Sequence, residues 1–405
     1  MKQKAMDLKL VARPIVGCLT HSHFWEGPCR AGLKEDMTPE AEARFADAVV
    51  IATGGQNALF GKTTGSTQCD GYAAGKLFMQ GAELKNLEFI QYHPTTLETA
   101  QKRMLISEAA RGEGGRLFVK ENGHNVYFME EKYGAGGNLM TRDIVSREID
   151  ARGGRAWLDI SFLGKAVIDQ RLPEVRDLCE KYAGIDVTRE PIPVQPSVHF
   201  FMGGLAVRLN HETNIRNLFA VGECASMYHG ANRLGGNSLL AAIYSGGVAA
   251  SAIADRSEPT SAHPDFSREL EQEKKNLERQ RDTRSLFPVM YVRDMLADTM
   301  QKRLGIVRDE ANLGKGLEDI DYYLSIAERI RYDSSVMPYF NYSLTAILTL
   351  ARATVTCALS RRESRGAHYR SDFPETDEAQ QSATIIAYDG GNYSVRLDEE
   401  RAYED

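Results

Sequence analysis

The chain has 405 residues, 42% apolar and 26% charged, with a formal net charge of −7. That length exceeds one ordinary core, so two or three domains are expected, and the mixed charge gives no reason to expect a nucleic-acid partner. No apolar run approaches the roughly 18 to 20 residues of a membrane span, and the six cysteines make no CxxC pair or metal-ligand spacing, so a reduced, cytoplasmic chain without a metal site or a direct membrane span is expected.

Residues 46–55, ADAVVIATGG, are a short β-branched run closed by two glycines, which reads as a buried parallel strand entering a tight turn. Helical spacing follows over 71–87, and β character returns over 88–93 before Pro94. From there to about 196, short helices alternate with glycine-rich turns, the pattern of a separate, loop-rich domain. A second buried strand at 218–221 precedes Gly222-Glu223 and a small-residue helix over 237–254, which suggests that the chain returns to the sheet it left near Gly55. Residues 255–265 are a linker by composition. Helices are then expected over 266–286, 289–304, 317–332 and 343–363, making a bundle, with a polar tail that carries a short β signal at 384–388.

The residues with chemical promise sit beside glycine or proline at element ends: His93 in QYHPT, Arg142 in TRDIVS, His199 in HFFMGG and Arg233 in HGANRLGGNS. A lone His or Arg is more often structural or exposed. Glycine neighbours change that weighing, because they let backbone and ligand approach closely, and arginine can grip a carboxylate with two parallel hydrogen bonds. Glu108 and Arg111 are three apart in an expected helix and so share a face. The plain alternative for them is a structural ion pair.

With ADAVVIATGG, LEFIQYHPT, ISEAARGEGGRLF, TRDIVSREID, HFFMGG, FAVGE, HGANRLGGNSLL and RRESRGAHYRSDFP in this order, the chain resembles the succinate dehydrogenase and fumarate reductase flavoprotein family, which has L-aspartate oxidase as a related branch. The resemblance implies an α/β fold, with a discontinuous Rossmann-like FAD-binding domain (1–88 and 197–256), an inserted α+β capping domain (89–196), a C-terminal helical domain (257–365) and a tail (366–405). It implies FAD as cofactor, a C4 dicarboxylate, fumarate or succinate, as substrate, and an iron–sulfur subunit or other electron-transfer partner that could hold the chain at a membrane. His93, Ser107, Glu108, His199 and Arg233 would bind the dicarboxylate. Arg142 would be the proton donor and acceptor, with Glu108 and Arg111 relaying to solvent while hydride passes to or from flavin N5. Thr53, Gly54, Gly55, Asp70, Glu223, Asn237, Ser238 and Leu239 would contact FAD. Glu223 would take the acidic position after a strand that accepts from a ribose, and residues 237–239 would open a helix facing the flavin.

Two departures qualify the resemblance. A family member should open with a strand, GxGxxG and a helix, whereas residues 1–45 hold no such unit and residues 1–44 match nothing nameable, so the chain reads as N-terminally truncated with an incomplete FAD domain. The expected TGDG turn is TQCDG here, which weakens Asp70 as a flavin ligand. The expectation is a fumarate reductase flavoprotein. The alternatives are L-aspartate oxidase or a related soluble reductase, and a truncated fragment without activity.

Overall fold

The structure, a computed structural model, describes residues 29–33, 39–43, 47–100, 102–256, 267–268, 271–272, 274–275, 287–327, 329–330 and 338–398. It divides into two compact units, one holding Met1–Gly61, Cys69–Phe89 and Phe201–Asp405, the other Lys62–Gln68 and Ile90–Phe200.

In the first unit Val49–Ile51 pairs in parallel with Leu218–Ala220, Leu218 opposite Val49 and Ala220 opposite Ile51. The chain thus returns to the strand it left, as the two β-branched runs suggested, and Phe219 and Val221 pack on Ala249 of the helix Asn237–Ala254. A five-stranded sheet lies in the order Ala225–Ser226, Gly204–Ala206, Leu84–Lys85, Ala383–Asp389, Asn392–Asp398. The paired glycines of HFFMGG follow from its crowding. A methyl group on Gly203 would lie 2.3 Å from the Asn86 carbonyl oxygen, and one on Gly204 would lie 2.3 Å from that of Cys224.

The helices of this unit differ in length from their sequence patterns. The helix expected over 71–87 spans only Tyr72–Met79, because Gly81 takes φ +97° and turns the chain into a strand. That expected over 317–332 is Glu310–Ala327, started by Asp309, whose carboxylate accepts from Asn312 N at 2.8 Å. Pro338–Ser360 and Val289–Arg303 complete the packing. Residues 257–265 of the linker and most of the 266–286 helix lie outside the described residues. The final strand was missed because the polar alternation of Asn392–Asp398 gives no core signal; it pairs with Ala383–Asp389 across Gly390-Gly391, at φ +56° and +105°. Among the described residues Asn237–Ala254 and Tyr339–Ser360 are long and apolar enough to cross a membrane, contrary to the reading of the apolar runs, though Tyr339–Ser360 is mostly buried within the protein, as a core helix is.

Glu88, Arg308, Arg361, Glu363 and Arg370 are completely buried among the described residues. Arg361 Nε donates to Glu88 Oε1 at 2.7 Å and its Nη1 to Glu363 Oε1 at 2.8 Å, while Arg370 Nη2 donates to the partly exposed Asp372 at 2.7 Å. Arg361 also closes on the carbonyls of Gln380 and Ser382 and on Thr384.

The second unit is built on a six-stranded sheet in the order Arg103–Leu105, Ile90–Glu98, Ile192–Phe201, Ala156–Asp159, Arg116–Glu121, His124–Val126. The helix Arg142–Asp150 packs on the strand Ile90–Glu98. Val145 and Ile149 are buried in the core and Ile144 packs against it. Leu139, which its helical spacing from Ile144, Val145 and Ile149 would put on the same face, is 64% exposed, because it ends a 3-10 turn before the helix begins.

Removing one member of a buried pair leaves the other charge unsolvated in the interior. Arg361→Ala is therefore expected to destabilise the fold by about 3–5 kcal/mol, read from the denaturant midpoint. A loss no larger than that of an exposed pair such as Lys165–Asp169 would refute it.

Candidate functional site

Alternation along the strand Ile90–Glu98 puts Gln91 and His93 on one face, both buried. Arg142 is the first residue of its helix, from which Nη1 donates to Gln91 Oε1 at 2.9 Å. Its Nε and Nη2 donate to Glu108 Oε1 and Oε2, each at 2.9 Å, a two-pronged pairing that fixes the guanidinium plane. Glu108 precedes the short helix Ala109–Gly112 and also accepts from Arg111 Nη2 at 3.1 Å, while Arg111 Nη1 is anchored on the Asn138 carbonyl at 2.7 Å. The carboxylate is 38% exposed, against 10% for Arg142 and 3% for Arg111, so the ion cluster runs from the interior to water through Glu108.

His93 is fully buried. Its Nδ1 lies 3.1 Å from the Thr95 carbonyl oxygen and 3.3 Å from Thr95 N, and its Nε2 finds no partner among the described residues. Burial, and then the charges of Arg142, His199 and Arg111, hold its pKa well below the usual histidine range, so the ring is neutral at neutral pH. His199 stands edge-on to it with centroids 5.4 Å apart, oriented by Thr64 Oγ1 at 2.8 Å from its Nδ1. Ser107 Oγ accepts from Ala109 N at 3.3 Å. This unit thus brings His93, Ser107, Glu108, Arg111, Arg142 and His199 together. Gln91 and Thr64 were missed by the sequence reading. Gln91 was legible as the residue two before His93 on the same strand face, whereas Thr64 lies 135 residues from its partner and carried no signal.

The first unit holds the other named residues. Glu223 follows the strand Leu218–Ala220, and its Oε1 accepts from Phe201 N at 3.1 Å. Burial pushes its carboxyl up to about 7, against the pull of that N–H and of Arg233. Thr53 hydrogen-bonds Cys224, Gly54 has φ +73°, and a methyl on Gly55 would lie 2.5 Å from Glu223 Oε1. Asn237, Ser238 and Leu239 open their helix behind Gly236 at φ +85°, with no side chain capping the first N–H groups, and Leu239 is 68% exposed. Arg233 is buried, with Nη1 donating to the Leu234 carbonyl at 3.3 Å, and together with burial it holds His229 down to about 4. Asp70 is held by other elements. Its Oδ1 accepts from Tyr72 N at 3.0 Å, its Oδ2 from Arg293 Nη2 at 2.9 Å, and both from Tyr339 OH at 2.9 Å, so it ties the TQCDG turn to the C-terminal helices.

These residues fit a dinucleotide cofactor. Glycines whose side chains would collide admit close backbone approach, a strand ends at a buried carboxylate, and an 18-residue helix begins without a side-chain cap. No group of three or more metal-ligating side chains occurs among the described residues.

The FAD binding domain family matches residues 4–239, and the fumarate reductase flavoprotein C-terminal family matches residues 293–403. The first match includes most of the stretch 1–44 for which no counterpart was recognised. The chain is 36% identical to the succinate dehydrogenase flavoprotein subunit of Bacillus subtilis (strain 168), over 95% of this chain and 71% of that one. It is 35% identical to the L-aspartate oxidase of the same organism, over 89% and 64%. An E. coli quinol fumarate reductase structure superposes with a TM-score of 0.78 at 29% identity, over 91% of this chain and 70% of that one. Fold and residues define an FAD-dependent oxidoreductase. The chain belongs to the succinate dehydrogenase and fumarate reductase flavoprotein family.

A raised carboxyl pKa means that the folded chain binds this proton more tightly than the unfolded chain does. Stability therefore falls as pH rises from about 4.5 to about 7. The expected loss in the flavin-free protein is roughly 3 kcal/mol, and Glu223→Gln should flatten that part of the profile. An unchanged slope in the variant would remove Glu223 as its source.

Proposed function

We propose that the chain interconverts fumarate and succinate, with fumarate reduction the physiological direction. The observation that carries this reading is the arginine of the helix Arg142–Asp150, locked by Glu108 and Gln91 near a neutral, partnerless imidazole nitrogen. Bound FAD would supply or accept the hydride. The protein must then do two things: hold two carboxylates and move one proton.

Arg233, His93 and His199 are the proposed carboxylate donors. The Nδ1 of neutral His93 meets both the Thr95 carbonyl oxygen at 3.1 Å and Thr95 N at 3.3 Å, and in the tautomer that accepts from Thr95 N the hydrogen sits on Nε2, where it can donate to a carboxylate. Arg142 would pass a proton to the alkene carbon that does not take the hydride. Arginine is a poor acid by its reference pKa. The two-pronged contact with Glu108 offers a route for its replacement from water, with Arg111 balancing the carboxylate. The exposed edge of Glu108 is the proposed point of entry.

The same cluster argues against L-aspartate as the preferred substrate. An α-ammonium needs negative charge beside it, and Glu108 is already shared by two guanidinium groups, which leaves the cluster with an excess of positive charge. Turnover of L-aspartate faster than of succinate would reverse this choice. A separate electron-carrying subunit, iron–sulfur in type, is the proposed partner, and it would hold the chain at a membrane surface from the cytoplasmic side.

Arg142→Ala is expected to lower turnover by at least about 10²–10⁴-fold, with the dicarboxylate dissociation constant unchanged within a few fold. Arg142→Lys should recover a small part, since lysine keeps the charge and loses the planar fork. A raised KM at unchanged kcat would make Arg142 a binding residue. Arg233→Ala should weaken malonate binding by about 10²-fold or more, and unchanged calorimetric affinity would take Arg233 out of the site.

A further inference from the structure

The C-terminal motif RRESRGAHYR has no role in the chemistry above, yet it touches the loop that carries Arg233. Ala367 N donates to the Ala231 carbonyl oxygen at 2.9 Å, two residues before Arg233. Gly366 has φ +55°, and a methyl group there would lie 2.4 Å from that same oxygen and 2.8 Å from the Ala231 side chain. The turn is stiff. Arg365 and His368 exchange backbone hydrogen bonds at 2.9 and 3.0 Å, and Arg365 grips Glu363 with Nε at 2.8 Å and Nη2 at 3.0 Å. Glu363 is itself fully buried and fixed by Arg361.

From this contact we infer that Gly366 is a positioning residue for dicarboxylate binding: the buried C-terminal ion network sets the height of the HGANR loop, and thereby the guanidinium of Arg233, through a backbone contact that only glycine permits. The inference rests on the reading of Arg233 as a carboxylate ligand. Its physical basis is that a carbonyl oxygen cannot sit 2.4 Å from a methyl carbon, so a side chain at Gly366 must push Ala231 away. A charge-assisted grip on a carboxylate is short and directional, so displacing it by a fraction of an ångström weakens it.

Backbone strain alone can be separated from this displacement. Gly390 has φ +56° and nothing within 4 Å of an added methyl, so Gly390→Ala imposes the same unfavourable conformation with no collision. The experiment is calorimetric titration of malonate into the full chain, with thermal unfolding measured on each variant. Gly366→Ala is expected to weaken malonate about tenfold or more while Gly390→Ala leaves it unchanged, even where both lower the melting temperature. The double variant Gly366→Ala with Arg233→Ala is expected to bind malonate no more weakly than Arg233→Ala alone. Should Gly366→Ala not fold, Arg365→Ala, whose side chain is 22% exposed, loosens the same turn and is expected to weaken malonate in the same direction. Unchanged affinity in Gly366→Ala, an additive loss in the double variant, or unchanged affinity in Arg365→Ala overturns the inference. Unchanged affinity in Arg233→Ala instead overturns the reading of Arg233 beneath it.

Discussion

Fully buried charge is the constraint on which the first unit depends. Glu88, Arg361, Glu363 and Arg370 are withdrawn from water, and such charges are tolerable only when they are paired and hydrogen-bonded. Arg361 meets that demand by collecting Glu88, Glu363, Thr384 and the carbonyls of Gln380 and Ser382, which joins the end of a long helix to the five-stranded sheet and the C-terminal turns. Arg308 adds the Glu88 carbonyl and His368 Nδ1, so the imidazole, pushed well below its usual pKa by burial, stays neutral and serves as an acceptor. These bonds tie together segments far apart in sequence.

Glycine does the complementary work where backbones must meet. Gly75 brings one helix against another so closely that a methyl would lie 2.2 Å from the Ala346 carbonyl oxygen. Gly203 and Gly204 do the same for the sheet, and Gly55 for Glu223. In each case the carbonyl or carboxylate that would be struck is one whose position matters to a strand, a helix pair or the proposed cofactor residues. The glycine pair beside His199 was therefore informative in the sequence for a steric reason that is independent of any ligand, whereas a methyl on Gly236 beside Arg233 would meet nothing within 4 Å.

Much of the fold was legible because its signals are local. The run VVI and the run LFA announced two buried strands, and the parallel pairing of Val49–Ile51 with Leu218–Ala220 realises the return of the chain. The helix at Asn237–Ala254 followed from its run of small residues as well. Three features were not legible. Asn392–Asp398 pairs as an edge strand whose polar sequence carries no burial pattern. Leu139 is an apolar residue that the helix starts too late to bury. Asp70 was weighed as a ligand on motif grounds, yet its partners Arg293 and Tyr339 lie more than 200 residues away, where sequence spacing gives no guidance.

The chemistry of the second unit rests on one division of labour. Two imidazoles and two guanidiniums share a small volume, and four positive charges there would repel one another without enough acid to balance them. Burial eases this by keeping His93 neutral, while Glu108 accepts from both Arg111 and Arg142 and offsets one of their two charges. A neutral histidine can be a hydrogen-bond donor of fixed direction, and an arginine whose fork is held at both prongs is a charge of fixed direction. Preorganisation of that kind reduces the reorganisation needed when charge develops on a reacting carboxylate or carbon. It also explains why Gln91 matters although it carries no charge: Nη1 is the prong that Glu108 does not reach, and the Gln91 amide oxygen is a neutral acceptor that orients it without adding a second negative charge to the cluster. A carboxylate at that position would hold the guanidinium more tightly and would hinder a proton's departure, so the neutral acceptor suits the proton transfer proposed for Arg142.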